Sequence, residues 1–113
     1  DVAVVAAPTA EYTQKLKVTG TSAVDMKGTL TLEYTMDGMT VPQSVEIGIW
    51  NSTSSGNPEA RDVAGWIANQ INDKVSGIEA IVEDDATVVL TTKKPMELQV
   101  KSNTSKWNIA LVK

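Results

Sequence analysis

The chain has 113 residues, 42% of them hydrophobic and 21% charged, and a formal net charge of −4, which suits one globular domain and argues against disorder. Cysteine and histidine are both absent, so there is no disulfide framework, and the common zinc and copper ligands and the usual near-neutral general base are missing. The cations stand singly or in pairs and include one arginine, Arg61, so no cationic face for phosphate, and no nucleic-acid partner, is expected.

Phenylalanine is missing and aromatic residues make up only 4% of the chain. The core must come from Val, Ile, Leu, Met and Ala, a palette that favours short strands. No run reaches the roughly 18 apolar residues of a membrane span, and no membrane partner is expected.

Residues 1–10 (DVAVVAAPTA) read as an extended arm ended by Pro8, without the cationic flank of a signal peptide. A start at Asp1 rather than Met suggests a processed product or a piece of something longer. Residues 11–113 are expected to form a single domain.

Tyr12 to Thr19 alternates apolar and polar residues, the period of a half-buried strand. Gly20 to Lys27 is a connection. From Thr29 to Met36 the alternation returns, with Leu30, Leu32, Tyr34 and Met36 on one face. Asp37-Gly38 then predicts a tight hairpin whose two turn residues both take positive φ. Pro42 marks an edge or bulge, and Val45, Ile47 and Ile49 continue a strand to Trp50. Asn51 to Asn57 is a polar loop.

Asn57-Pro58 predicts a helix start, with Asn as cap and Pro in the first turn. Val63, Ala64, Ile67, Ala68, Ile71 and Val75 make one apolar stripe, Trp66 stands beside it, and Gly77 supplies the stop. A second hairpin joins Ile78–Val82 to Thr87–Thr91 through the acidic turn Glu83-Asp84-Asp85. Met96, Leu98 and Val100 alternate in another strand, Asn103-Thr104-Ser105 turns, and Trp107, Ile109 and Leu111 form the last. The order predicts an α+β fold: a β-rich antiparallel or mixed sheet, or sandwich, with one helix at about residues 58–75 packed on it.

Catalytic equipment is sparse. Ser52, Thr53, Ser54 and Ser55 offer hydroxyls without an adjacent base. Glu59 and Asp62 suit the helix dipole, and Glu83-Asp84-Asp85 reads as a solvated turn rather than a calcium loop. Asn51-Ser52-Thr53 and Asn103-Thr104-Ser105 match the glycosylation tripeptide, a pattern common by chance in polar loops. No catalytic, cofactor or metal residue is assigned. The candidate contact residues are Val2, Val4 and Val5 of the arm, as a donor strand, together with Trp50, Asn51, Ser52 and Trp107, which exposed indoles would turn into a stacking platform for sugars or an anchor for protein.

Six further motifs occur in order: Val18-Thr19-Gly20-Thr21, Gly28-Thr29-Leu30-Thr31-Leu32, Asp37-Gly38, Val45-Glu46-Ile47-Gly48-Ile49, the helix Val63 to Ile71, and Val88-Val89-Leu90-Thr91-Thr92. This stretch resembles a module of bacteriophage tail proteins, similar to those in sheath proteins of contractile tails and in tail tubular or nozzle proteins of short-tailed phages. Met96 to Ser102 is similar to the nozzle type. The Asn51–Asn57 loop is longer than the module's, and the chain is shorter than whole sheath or nozzle proteins. The resemblance implies a non-enzymatic structural part of a virion, made in the bacterial cytoplasm. It would act by homo-oligomerisation or by docking to other virion proteins, with no cofactor. The alternative from the residues is a carbohydrate- or cell-surface-binding module that uses its tryptophans.

Overall fold

A computed structural model describes residues 11–21, 26–53, 56–84 and 86–112. In these lie β1 (Tyr12–Thr19), β2 (Gly28–Met36), β3 (Gln43–Ile49), α1 (Ala60–Lys74), β4 (Ile78–Glu83), β5 (Thr87–Thr92), β6 (Met96–Asn103) and β7 (Asn108–Leu111). The strands form two antiparallel sheets, ordered β4-β5-β1-β7 and β3-β2-β6. The fold is the β-rich α+β arrangement expected, with both sheets antiparallel and one helix laid against them.

Strand alternation decides what is buried. Leu16 and Val18 of β1, Leu30 and Leu32 of β2, and Ile47 and Ile49 of β3 point into one core, as period-two side chains must when one sheet face is covered. Tyr34 and Met36 share that face but are only half-buried, at the open end of the sheet. β5 lies between β4 and β1, so both its edges are paired, and side chains of those neighbours shield its outer face. Val89, on its outer face, is flanked in register by Lys15 and Ile81 and is only 7% exposed.

The helix stripe is as the spacing predicts: Val63, Ala64, Ile67, Ala68 and Ile71 are buried, and Val75 follows at the cap. Burial of Val63, Ile67 and Ile71 contributes roughly 1.5–3 kcal/mol each. The start differs from expectation. The cap is Glu59, whose N–H donates to the Asp62 carboxylate (2.8 Å), a capping-box arrangement. Pro58 is instead fully buried just ahead of the helix, so its ring packs into the core rather than opening the first turn.

The Asp37-Gly38 turn also departs from the expected hairpin. Met39 N–H donates to Met36 C=O (2.9 Å), and of the two turn residues only Gly38 has positive φ (94°). That is the pattern of a type II turn rather than a primed one. β2 and β3 do not pair up to it: Tyr34 faces Gln43, while Met36 pairs with Met96 of β6. The intervening residues through Pro42 make a longer link, because β2 ends on β6 rather than on β3.

At the opposite end of β2, the turn after β6 crosses over Gly28. Thr104 N–H donates to Thr29 C=O (3.0 Å), and Thr29 N–H donates to Thr104 Oγ1 (2.8 Å). A Cβ on Gly28 would stand 2.3 Å from the Ser105 nitrogen, so this crossing requires glycine.

Candidate functional site

Two open antiparallel sheets present four outer strands: β4, β7, β3 and β6. Each outer edge is a row of unpaired peptide groups, able to template another chain unless covered. Two of the four are covered by α1. Gln70 and Asn72 flank the buried Ile71, so the helical rotation of about 100° per residue sends their side chains to opposite sides of the apolar stripe. Gln70 Nε2 donates to Gly48 C=O (2.8 Å), and Gln70 Oε1 accepts from Gly48 N–H (2.8 Å), on β3. Lys74 Nζ adds a bond to Glu46 C=O (2.7 Å). Asn72 does the same on β4, with Nδ2 to Ala80 C=O (2.8 Å) and Oδ1 from Ala80 N–H (2.8 Å). Each carboxamide supplies the donor and acceptor that a neighbouring strand residue would.

The other two edges face each other. Pro95 C=O accepts from Asp37 N–H (2.9 Å), so the peptide groups of Glu97 and Gln99 turn toward β2 and those of Met96, Leu98 and Val100 turn away, by the alternation of a strand. Val112 N–H donates to Lys15 C=O (2.9 Å), which by the same rule turns Ile109 and Leu111 away from β1. Among the described residues no strand pairing joins β6 to β7. They meet only at their connecting turn, where Asn103 Nδ2 donates to Trp107 C=O (2.7 Å) and Asn103 Oδ1 accepts from Ser105 N–H (2.9 Å).

The result is a seam. β7 covers β1 only from Leu16 onward, so nearer its start β1 faces β6 directly, and the Gln14 side chain crosses to donate to Met96 C=O. Beside it, on the outer face of β2 and β6, lies a groove of about 540 Å³ lined by Gln14, Glu33, Thr35, Pro42, Met96, Glu97, Leu98 and Gln99. It shares Thr35, Met96 and Glu97 with an adjoining hollow of about 370 Å³, walled by Met36, Met39 and Pro95. Thioether side chains make such a wall adaptable. Val100 and Leu111 are half-buried, packed at the margin of the core.

Of the candidate contact residues, Val2, Val4 and Val5 lie outside the described residues. Trp50, Asn51 and Ser52 are exposed, Trp50 to 52%. Trp107 is not on that surface. It is 2% exposed, in the core, and its Nε1 has no hydrogen-bond partner among the described residues. The expected platform of Trp50 with Trp107 therefore does not form. Trp50 instead meets Trp66 edge to face, with centroids 4.7 Å apart and planes at 79°, beside a groove of about 470 Å³ that includes Lys27, Thr29 and Asn51. The position of Trp66 next to Ile67, on the flank of the stripe, was the available signal for that pairing.

The acidic turn is tied down by its neighbour. Glu83 pairs with Lys15 at 2.7 Å, and this hydrogen bond, followed by the carboxylate charge, raises the Lys15 amine above its ordinary 10.5. Asp84 takes φ 47° in the turn. Among the described residues no group of three or more acidic, histidine or cysteine side chains is placed to hold a metal ion, and no helix is long and apolar enough to cross a membrane.

Fold and site together define a two-sheet antiparallel domain whose helix covers two strand edges and leaves a seam at the others. No protein-family model, curated protein or solved structure matches the chain.

Proposed function

We propose that this chain is a non-enzymatic structural or assembly domain of a bacteriophage tail or virion, acting by self-association or by docking to other virion proteins. The observation that carries the reading is the unequal treatment of strand edges. Gln70, Lys74 and Asn72 cover β3 and β4, while the outward peptide groups of Leu98 and Val100 have no partner strand among the described residues. Edges left open in a fold that covers others suit strand addition, in which backbone bonds supply affinity and flanking pockets supply selectivity. The phage assignment draws on the motif resemblance, and the edge supports the assembly role.

Light scattering coupled to size exclusion tests it. The chain is expected to associate with rising concentration. Val100→Pro removes one outward N–H without touching a β2 ladder bond, a substitution that edge strands tolerate, and should weaken association by about tenfold or more, the equivalent of roughly 1.4 kcal/mol. A strict monomer at high concentration would overturn the assembly reading.

A second reading, a carbohydrate-binding module, is favoured by one feature: the exposed Trp50 ring, braced by Trp66, beside Lys27, Thr29 and Asn51. Stacking on a sugar would change indole emission. Under this reading a glycan array shows a hit that Trp50→Ala abolishes, and an array without hits removes the reading.

A further inference from the structure

We infer that in the assembled state the seam beside β6 receives residues 2–7 of a second copy of this chain, added as a strand along the outer edge of β6. This rests on the assembly reading above and names the partner that reading leaves open.

The acceptor is defined by peptide direction. Leu98 and Val100 turn N–H and C=O into the seam while their side chains point to the core, Leu98 at 9% exposure and Val100 half-buried. A strand laid here gains ladder bonds along its backbone. Its inward side chains also cover Val100 and Leu111, two of the apolar residues half-buried at the margin of the core. Near the mouth of the seam, the hollow walled by Met36, Met39 and Pro95 offers adaptable thioether surface.

The occupant is set by chemistry and length. Val2-Ala3-Val4-Val5-Ala6-Ala7 is uncharged, carries three β-branched residues and stops at Pro8, where ladder bonding must end. Having no carboxylate, it can approach Glu33 and Glu97 at the groove without like-charge repulsion. Six extended residues span about 20 Å, and the eight residues of β6 about 27 Å, so the segment fits the free edge with little overhang.

The point of attachment selects a neighbour's seam rather than the chain's own. β1 begins at Tyr12, and two residues later Gln14 touches Met96 at the mouth of the seam. β1 runs inward from that mouth, so an arm continued straight back from Tyr12 would lead outward. To lie on its own β6 it would have to reverse within residues 8–10. To reach the β6 of a second copy it need only extend.

The absence of cysteine permits a clean crosslinking test. Ala3→Cys, Val4→Cys and Val5→Cys proteins are each mixed with a Gln99→Cys protein and oxidised. Gln99 is exposed and its peptide faces β2, so across the seam it occupies a non-hydrogen-bonded position, where antiparallel Cα atoms stand about 4.5 Å apart, within disulfide reach. At least one pairing is expected to give a mixed disulfide dimer, in about tenfold greater yield than with Asn69→Cys, an exposed helix position that serves as control. Removal of residues 1–10 should abolish association of the whole chain. If no mixed dimer forms, or if the shortened chain keeps its assembly size while the intact protein associates, the arm assignment fails and the assembly reading stands. Disulfide confined to single molecules of the Val4→Cys/Gln99→Cys double variant overturns the second-copy occupant. If the intact chain never associates, both fall.

Discussion

Trp107→Ala is expected to destabilise the domain by about 3–5 kcal/mol, the range for deleting a large buried aromatic side chain. The ring is among the largest fully buried side chains and is 2% exposed. It also stands at the end of the turn that joins the two sheets, where its carbonyl accepts the Asn103 amide. Loss of the ring leaves a cavity where β6 and β7 come together, so the turn loses its packing as well as its area. The indole N–H has no acceptor among the described residues, and a buried donor without a partner costs about 1–3 kcal/mol. Trp107→Phe removes that unpaired donor and keeps most of the ring, and should cost less than half as much as the alanine variant. Urea unfolding followed by far-ultraviolet circular dichroism measures both. An alanine variant within about 1 kcal/mol of the parent would show that the site collapses around the loss and that the ring is not a keystone of the turn.

The double variant Gln70→Ala/Asn72→Ala should lose about 2–6 kcal/mol, taking about 0.5–1.5 kcal/mol net for each of the four amide–backbone bonds removed. Both sites contact different strands, so the two losses should add. The distinctive outcome is in association. With Gly48 on β3 and Ala80 on β4 uncovered, two more edges become available, and the variant should form polydisperse species by light scattering at concentrations where the parent shows one defined state. Gln70→Glu and Asn72→Asp keep the acceptor and lose the donor. They should recover part of the stability and, by placing charge at each edge, prevent the polydispersity. A stable, monodisperse double alanine variant would show that the amides do not guard the edges.

Much of the fold is legible in the sequence because its signals are local. The alternation Leu30-Leu32 and the stripe Val63-Ile67-Ile71 each lie within one element, and both appear in the core as read. The Asp37-Gly38 turn misleads because its dipeptide fits a primed hairpin, whereas the partner of Met36 is Met96, far along the chain. Local chemistry cannot report which strand a strand will choose. The candidate site was less legible for the same reason. Gln70 and Asn72 look like ordinary exposed helix residues, and their role exists only once β3 and β4 flank the helix. Trp50 and Trp107 each end or begin a strand beside a polar loop, yet one is half-exposed and the other in the core. The difference lies in a contact between distant segments: the Trp107 ring lies against Gly20, where a Cβ would stand 2.8 Å from it.

The placement of β1 between β5 and β7 governs the order in which the domain can form. Tyr12 pairs with Thr92, and Thr19 with Asn108, so the first strand made is the last to find its neighbours. Before then the hairpin β4–β5 and the β2–β3 pair can assemble from nearby sequence, and α1 lies between them in the chain. Closing a loop of that length precedes the contacts that reward it, which makes sheet completion slow. β5 and α1 can shelter Leu16 before β7 is made, but the other edge of β1, from Leu16 to Thr19, stays open until β7 emerges, so a chain stopped before Asn108 should expose that edge. The late pairing of β7 with β1 thus completes the four-stranded sheet, and the same step sets the seam against β6.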